Sequence, residues 1–460
     1  MITVFDISLS IIYLAFIYIF SVQIKKRRMV GNNLYKYFIP GLMVRIFGGI
    51  MVCLIYMYYY NGGDTINYFY GSECMLNLMV KDFGQYTDIM FGDLSFENYF
   101  AFDSETGYPP TYMYKDPKTF SVIRFVNLLV LLCGRSFITT TIVLSALAYS
   151  GPWRLFLMFC REFPGISRQL AIAVLFIPSV FFWGSGLLKD TFTFSAICWY
   201  TFSFYKTFIV KEKRLVNALF VLISLWLLIS IKPYLFVAIF PGSILWYTFH
   251  LLNKIEGSMF RILYFPVALA FGLVISFSLV SILGSELGKY KLDNLLDVAM
   301  ITQDDLSRDT YGPNSFDIGV IDPSVTGLMR KAPVAVTAAL FRPFVWEINN
   351  PMMLLSGLEN LVILSLVILL FYRIKPLAII RIIFSQPIIL FSLIFSFILA
   401  FSIGLSTANF GALVRYKIPL IPYFMSSILI IQHYYKVGDE RRVKEDLGII
   451  DHRLQTTSGS

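Results

Sequence analysis

The chain has 460 residues, of which 57% are hydrophobic and only 15% are charged. A soluble protein of this length would carry about a quarter charged residues, so the composition excludes a soluble enzyme and indicates an integral membrane protein of the helical type. A net charge of +9 suggests nucleic acid binding in a soluble protein. Here we attribute it to Lys and Arg in loops on one side of a membrane, and we expect no nucleic-acid partner.

About eleven apolar runs are long enough to cross a bilayer. They lie near residues 4–23, 38–60, 137–159, 169–184, 190–209, 215–231, 235–252, 259–283, 351–372, 384–404 and 416–434. Positive charges follow the first run and no small-residue cleavage site appears, which favours a first span over a cleaved signal peptide. The predicted fold is therefore all-α, a polytopic integral membrane bundle of about eleven transmembrane helices.

Lys and Arg clusters set the predicted orientation. They follow or flank alternate spans, at residues 25–28, 161–168, 211–214, 254–261, 373–381 and 436–444. Cytoplasmic loops carry an excess of Lys and Arg. All six clusters fall on one side if the N-terminus is outside and the C-terminus is cytoplasmic, so we predict a multi-pass protein of a bacterial inner membrane in that orientation.

Two long segments, about 61–136 and 284–350, then lie outside. The first ends in an apolar stretch, 120–132, that is interrupted by Arg124 and Asn127 and is typical of an interfacial helix. The second contains polar turns, then a helix-like piece over 325–340. We expect a single polytopic domain over 1–435 and a charged, partly disordered cytoplasmic tail over 436–460.

The stretch Asn-Gly-Gly-Asp over 61–64 opens the first outer segment. Two glycines allow a sharp turn, and the next residue, Asp64, places a carboxylate at the expected membrane surface. Asp64 is the candidate catalytic residue. It could instead cap the helix-like stretch after it, bind a metal, or orient a cation.

Further ionisable residues fall at the outer ends of the predicted spans: Lys189, Asp190, Lys232, Arg330, Lys331, Arg342, Glu347 and Arg415. The outer side should be poor in positive charge, yet five junctions hold one. Charges at membrane depth are costly unless they are paired or face a cavity. Lys and Arg bind phosphate oxygens, so this set predicts an anionic ligand at the outer surface.

Each of these residues also has a structural interpretation. Lys189 and Asp190 could pair with each other, and Arg342 could pair with Glu347 to fix its loop. Lys232 could mark an ordinary helix end, and Arg415 could be an interfacial anchor beside Tyr416. Arg330 and Lys331 could belong to a solvated face. The prediction depends on the joint location of these residues.

The cysteines and histidines give little indication of chemistry. The five cysteines form no CxxC pair, and the three histidines fall at or beyond predicted cytoplasmic helix ends. We therefore expect neither a disulfide framework nor a zinc site. No cofactor is indicated, and the need for a divalent metal stays open.

The predicted chemistry is transfer of a sugar from a lipid phosphate or pyrophosphate. Lys189, Lys232, Arg342 and Arg415 would stabilise the leaving phosphate, and Asp64 would take the proton of the acceptor hydroxyl. Aromatic residues could stack on sugar rings or form an interfacial belt; these are Tyr68, Trp183, Tyr234 and Trp346.

Two families resemble this pattern. Asp64 after an early span, the outer segment 61–136 and the Arg-Tyr-x-x-Pro junction at 415–419 resemble the C-type membrane glycosyltransferases. That resemblance implies a polyprenyl-phosphate-linked sugar donor at the outer face and Asp64 as catalytic base. The many spans and the loop arginines resemble bacterial O-antigen and exopolysaccharide repeat-unit polymerases, which implies that Arg330, Arg342 and Arg415 bind a lipid-linked pyrophosphate.

Both resemblances imply cell-surface glycan synthesis, with a lipid-linked oligosaccharide or sugar, membrane lipids and an envelope glycan assembly complex as partners. Asp190, Glu347 and Tyr416 would complete the substrate site. A transporter or flippase for lipid-linked or anionic solutes is the alternative function. It predicts charges at mid-span and broken helices in matched halves. A non-catalytic scaffold is a third possibility.

Overall fold

The protein is helical throughout the part that the computed structural model describes, which is residues 2–252, 315–319, 322 and 324–446 with a few isolated positions between. Within those residues no strand occurs, and one isolated bridge joins Ser315 to Asn409. The predicted all-α fold is therefore confirmed. The polar turns near 304 and 311 and the predicted span at 259–283 lie outside the described residues.

Twenty described α-helices follow one another in the chain. They are α1 Val4–Met29, α2 Phe38–Tyr58, α3 Asp64–Lys81, α4 Phe83–Phe91, α5 Phe96–Tyr99, α6 Thr111–Tyr114, α7 Pro117–Leu132, α8 Phe137–Ala148, α9 Ser150–Glu162, α10 Ser167–Leu175, α11 Pro178–Trp183, α12 Lys189–Phe204, α13 Arg214–Ile231, α14 Pro233–Leu252, α15 Val325–Phe341, α16 Pro351–Arg373, α17 Pro376–Ser385, α18 Pro387–Ser406, α19 Phe410–Tyr416 and α20 Ile421–Asp446.

In the part of the chain that the structure describes, seven stretches are long and apolar enough to cross a membrane: Val4–Met29, Asn33–Tyr58, Phe137–Glu162, Arg214–Ile231, Pro233–Leu251, Met353–Arg373 and Pro387–Ser406. They correspond to seven of the predicted spans. An eighth is possible where α19 and the start of α20 form one stretch bent by 65°. The chain is thus a multi-pass helical membrane protein, and the count of about eleven stays a prediction.

Two further predicted spans, 169–184 and 190–209, are not single α-helices. The run 169–184 is divided between α10 and α11, because Pro178 lacks an N–H and holds Ile177 in an extended conformation. The run 190–209 has an α-helical part of 16 residues, α12, followed by a π-helical turn over Tyr205–Ile209. Helix α20 runs from Ile421 to Asp446 and so extends into the predicted tail 436–460, whose partial disorder stays a prediction.

The segment 61–136 has a small core of its own. Residues of α3, α4 and α7 form it, including Met75, Ile89 and Phe120, and Leu187, between α11 and α12, packs into the same core. The predicted helix over 120–132 is present as α7. Its position at the membrane surface stays a prediction, because its polar residues bind within the segment.

The two polar residues that interrupt the apolar sequence of α7, Arg124 and Asn127, both bind to α4. Arg124 donates to the carbonyl oxygens of Ile89 and Gly92, at 2.6 and 2.7 Å, where α4 ends. The buried amide of Asn127 accepts from the hydroxyl of Tyr86 at 2.8 Å. The guanidinium thus satisfies terminal carbonyl groups of α4 and fixes α7 against it.

Candidate functional site

Four of the predicted residues meet in one charged cluster. Arg415 donates from Nη1 to Oδ2 of Asp64 at 3.0 Å and from Nε to Oδ2 of Asp190 at 2.6 Å. Lys232 donates from Nζ to the other oxygen, Oδ1, of Asp190. The two carboxylates and two cations come from four distant parts of the chain, and their formal charges cancel. We call these four residues the charge cluster.

The cluster is buried at one end and open at the other. The side chain of Asp190 is 0% exposed and that of Lys232 is 8% exposed, whereas Arg415 is 15% and Asp64 40% exposed. Charges this deep require partners, and Asp190 supplies one to each cation. Asp64 is therefore the member that a ligand from outside reaches first.

A tight turn carries Asp64 to this position. Asn61, Gly62 and Gly63 have φ angles of 50°, 149° and 108°, a run of positive φ that glycine adopts without strain. A methyl group on Gly63 would lie 2.9 Å from Cε1 of Tyr56, so the turn also packs tightly on α2. Asp64 begins α3, where the helix dipole favours a carboxylate, and its side chain also accepts from Arg415.

A helix break carries Asp190. Between α11 and α12 the chain leaves helical geometry over 184–188, which exposes carbonyl groups inside the bundle. Arg45 of α2 donates to the carbonyl oxygens of Val180, at 3.1 Å, and Gly184. Ser145 donates to that of Ser185 at 2.6 Å. The break is thus held by side chains of two neighbouring helices, and Asp190 falls in the first turn of α12.

Lys232 and Arg415 also lie at helix ends. Lys232 directly follows the last residue of α13, and its Nζ lies 4.9 Å from the ring centroid of Tyr416. Arg415 lies in the last turn of α19, just before the 65° bend to α20. Lys417 holds that bend through Nζ, donating to Oδ1 of Asn360 at 2.7 Å and to the carbonyl oxygen of Arg342 at 3.0 Å.

The remaining predicted residues lie elsewhere. Lys189 turns away from its neighbour Asp190, donates to Oγ1 of Thr119 at 2.6 Å and lies 3.8 Å from Oδ2 of Asp116. Arg342 binds Glu347 through Nε at 2.9 Å, which is the structural alternative raised for that pair. These contacts join Lys189 to α7 and Arg342 to its own loop, and their roles toward a substrate stay predictions.

The aromatic and loop candidates divide by exposure. Tyr68 is 1% exposed and packed in the core of the segment 61–136, so its ring has no free face for a sugar. Trp183 is buried as well, whereas Trp346 is exposed and stacks on Phe344. Arg330 lies exposed on α15, as a solvated residue would.

Sequence reasoning missed several polar residues. Arg45 is hidden in the middle of an apolar run, although an arginine inside a predicted span is itself a signal. Glu359, within α16, accepts from the backbone N–H of Ser179 at 2.9 Å. Lys417, two residues after Arg415, is 1% exposed and binds Asn360 inside the bundle. Tyr112 lies in the four-residue helix α6, where the sequence shows no periodic pattern.

The carboxylates of the charge cluster already face cations. Among the residues that the structure describes, no group of three His, Cys, Asp or Glu side chains is close enough to hold a metal ion. The described part of the chain therefore offers anionic and cationic groups for a ligand but no assembled donor set for a metal.

Comparison of this chain with protein-family models, with curated proteins and with solved structures finds no match.

Proposed function

We propose that this protein is a membrane glycosyltransferase or polysaccharide polymerase that uses a polyprenyl-(pyro)phosphate-linked sugar at the outer face of the bacterial cytoplasmic membrane. The observation that carries the proposal is the charge cluster. Asp64, Asp190, Lys232 and Arg415 were each predicted from their place at a helix end, and they share one site. An enzyme of this kind needs a carboxylate and phosphate-binding cations in such proximity.

The geometry suggests how substrate binding would activate Asp64. In the structure, Nη1 of Arg415 donates to the Asp64 carboxylate. A lipid-linked phosphate competes for that donor, while Asp190 continues to hold Nε of Arg415 and the Lys232 ammonium. The Asp64 carboxylate is then free of its ion pair and can accept a proton.

Bond making and breaking then balance around these groups. The acceptor hydroxyl oxygen forms a bond to the anomeric carbon and gives its proton to Asp64. The bond between the anomeric carbon and the phosphate oxygen breaks, and its electron pair stays on the phosphate. Arg415 and Lys232 stabilise that developing charge, which is worth more in a site where water is excluded.

Loss of surface glycan tests the proposal in cells. In a host strain that lacks the gene, Asp64→Asn and Arg415→Ala are expected to abolish the glycan while the protein remains in the membrane. Asp88→Asn is the matched control, since Asp88 is an exposed carboxylate of the same segment, on α4. Wild-type glycan in Asp64→Asn cells would remove the base assignment.

A transporter of lipid-linked or anionic solutes is the second candidate, and one observation favours it. Asp190 follows the helix break at 184–188 and Arg415 precedes the bend at 417–420, so two discontinuous helices meet at the charges. Transporters build substrate sites from such helices. In liposomes that contain the purified protein and a lipid-linked sugar, release of polyprenyl phosphate supports the enzyme, and movement of the unchanged lipid across the bilayer supports the transporter.

A further inference from the structure

Neutral groups lie near Asp64, the most exposed member of the charge cluster: its negative charge acts on the phenol of Tyr112, and Gly63, just before it, lies against Tyr56. Tyr112 is 54% exposed, and its hydroxyl accepts a hydrogen bond from Nδ2 of Asn67 at 2.8 Å. Asn67 lies three residues after Asp64 on α3, so both side chains project from the same side of the helix. Tyr60 is 48% exposed and packs on Tyr56, with ring centroids 5.3 Å apart.

We propose that Asn67, Tyr112 and Tyr60 form the subsite that holds the acceptor sugar beside Asp64. This inference rests on the proposed function and adds to it a substrate class, a neutral carbohydrate ring, and a direction of approach. None of the three residues was among the predicted site residues, and the buried Tyr68 cannot take this role without moving.

The chemistry of these groups matches a sugar better than an anion. The amide of Asn67 has a carbonyl oxygen and two N–H donors, and the phenol of Tyr112 both donates and accepts, which suits ring hydroxyls. Exposed aromatic faces suit the apolar face of a sugar. An anion would need cations, but those of the charge cluster, Arg415 and Lys232, are already paired with carboxylates.

The protonation state of Tyr112 also fits. Burial of the phenol raises its pKa, and the negative charge of Asp64 acts in the same direction, while the hydrogen bond from Asn67 opposes them. The hydroxyl therefore keeps its proton at neutral pH and can donate to a sugar oxygen. A phenolate at this position would repel the Asp64 carboxylate.

The order of the groups gives the direction of approach. From the exposed side inward, the structure presents Tyr112 and Asn67, then Asp64, then Arg415, and finally the buried Asp190 with Lys232. An acceptor at the mouth places its hydroxyl at Asp64, and a leaving phosphate lies on the far side with Arg415. That arrangement suits a displacement with attacking and leaving oxygens on opposite sides of the anomeric carbon.

Ligand-induced stabilisation of the purified full-length protein in detergent tests the subsite. One probe is the oligosaccharide that mild acid releases from the host's own lipid-linked pool, and the other is undecaprenyl phosphate. The oligosaccharide is expected to raise the melting temperature of the wild type. Its half-saturating concentration should rise about tenfold in Tyr112→Ala, and about threefold in Tyr112→Phe and Asn67→Ala.

Phe96→Ala is the matched control, because Phe96 is an exposed ring of the same segment that packs on Phe100. It should respond to both probes as the wild type does. Undecaprenyl phosphate should stabilise the subsite variants fully and Arg415→Ala much less.

The outcomes separate the two proposals. If undecaprenyl phosphate stabilises the wild type and the oligosaccharide does not, the subsite is overturned while the proposed function stands. An equal response of Tyr112→Ala and the wild type to the oligosaccharide also overturns the subsite. If neither compound stabilises the wild type and Asp64→Asn cells make normal glycan, the proposed function fails, and the acceptor subsite fails with it.

Discussion

Asp190 is the residue on which the charge cluster depends. It is the most buried member, and it alone contacts both Lys232 and Arg415. A neutral amide in its place leaves two cations in a buried site with one remaining carboxylate, Asp64. Removing one partner of a buried ion pair typically costs about 3–5 kcal/mol.

We therefore expect Asp190→Asn to lower the free energy of unfolding by about that amount, and Lys232→Met to lower it less, because Asp190 keeps Arg415. The double variant restores neutrality and should be more stable than the sum of the two losses predicts, by about 1–3 kcal/mol. Thermal unfolding of the purified protein in detergent, followed by tryptophan fluorescence, measures all three.

Lys81→Met is the matched control for that cycle. Lys81 also pairs with a carboxylate, that of Asp103, but both side chains are about two-fifths exposed. Its removal should change the free energy of unfolding far less than either change in the charge cluster, because solvent screens the exposed pair. If the losses in unfolding free energy of the Asp190 and Lys232 variants add up in the double variant, the two residues act independently. That result would contradict the cluster as a single unit.

For the residues of the charge cluster, the predicted membrane topology indicated which side chains lie close together better than their spacing in the sequence did. Asp64 and Arg415 are 351 positions apart, yet both were expected at the same membrane level, and they are bonded. Local pairing was a weaker guide. Lys189 and Asp190 are neighbours, but successive residues of a helix point about 100° apart, so they bind different elements.

At the scale of elements, discontinuous helices build the site. Gly48 of α2 lies against α11, where a methyl group would stand 2.9 Å from the carbonyl carbon of Phe181 and closer still to its oxygen. Backbone cannot yield as a flexible side chain can. Gly48→Ala should therefore push α11 away and disturb the break at 184–188, at a cost of about 1–3 kcal/mol.

The expected result is a lower melting temperature together with reduced surface glycan. Gly31→Ala provides the comparison, since a methyl group there meets no atom within 4 Å. That variant should match the wild type in both measurements. A Gly48→Ala protein with wild-type stability would show that α2 and α11 can separate without cost.

The loop between α5 and α6 gives a prediction about pH. The hydrogen bond from Lys81, together with backbone N–H donors, lowers the pKa of Asp103 from 3.8 to about 2. A depressed folded-state pKa stabilises the fold above the ordinary value, and that contribution is lost as the pH falls from about 4 to about 2.

Pepsin cleavage within 61–136 should therefore accelerate over that range relative to the same measurement on Asp103→Asn, which lacks the titrating group. A constant ratio of the two cleavage rates from pH 4 to pH 2 would contradict the assignment. Because the ion pair of Lys81 and Asp103 is exposed and weak, the faster cleavage at low pH should be confined to this segment.

Continuous apolar helices were predictable, and interrupted ones were less so. Hydropathy located seven stretches within a few residues, because length and composition decide whether a helix can span. The break at 184–188 was read as the end of a span. It exists because Arg45 and Ser145 satisfy its carbonyl groups, and those partners lie far away in the sequence.

At the scale of the whole molecule, the orientation in the membrane decides what the charge cluster can bind. A lipid-linked sugar at the outer face reaches Asp64 only if the segment 61–136 lies outside. The positive-inside pattern predicts that arrangement, with the positive cluster at 373–381 and the nearby end of α17 in the cytoplasm.

The native cysteines make this prediction easy to test. All five are free and buried, so a membrane-impermeant maleimide should react with them slowly. Ser104→Cys and Ser385→Cys then each add one exposed thiol with minimal change in size. In intact cells the reagent should label Ser104→Cys, and it should label Ser385→Cys only after the membrane is opened.

The labelling of these two positions decides whether the charge cluster faces the outer or the cytoplasmic side of the membrane. Labelling of Ser385→Cys and protection of Ser104→Cys in intact cells would show that the protein has the opposite orientation. The charge cluster would then face cytoplasmic substrates such as nucleotide-linked sugars. Labelling of both would place an even number of crossings between the segment 61–136 and α18. With the expected pattern, Asp64 opens toward the side on which surface glycans are assembled.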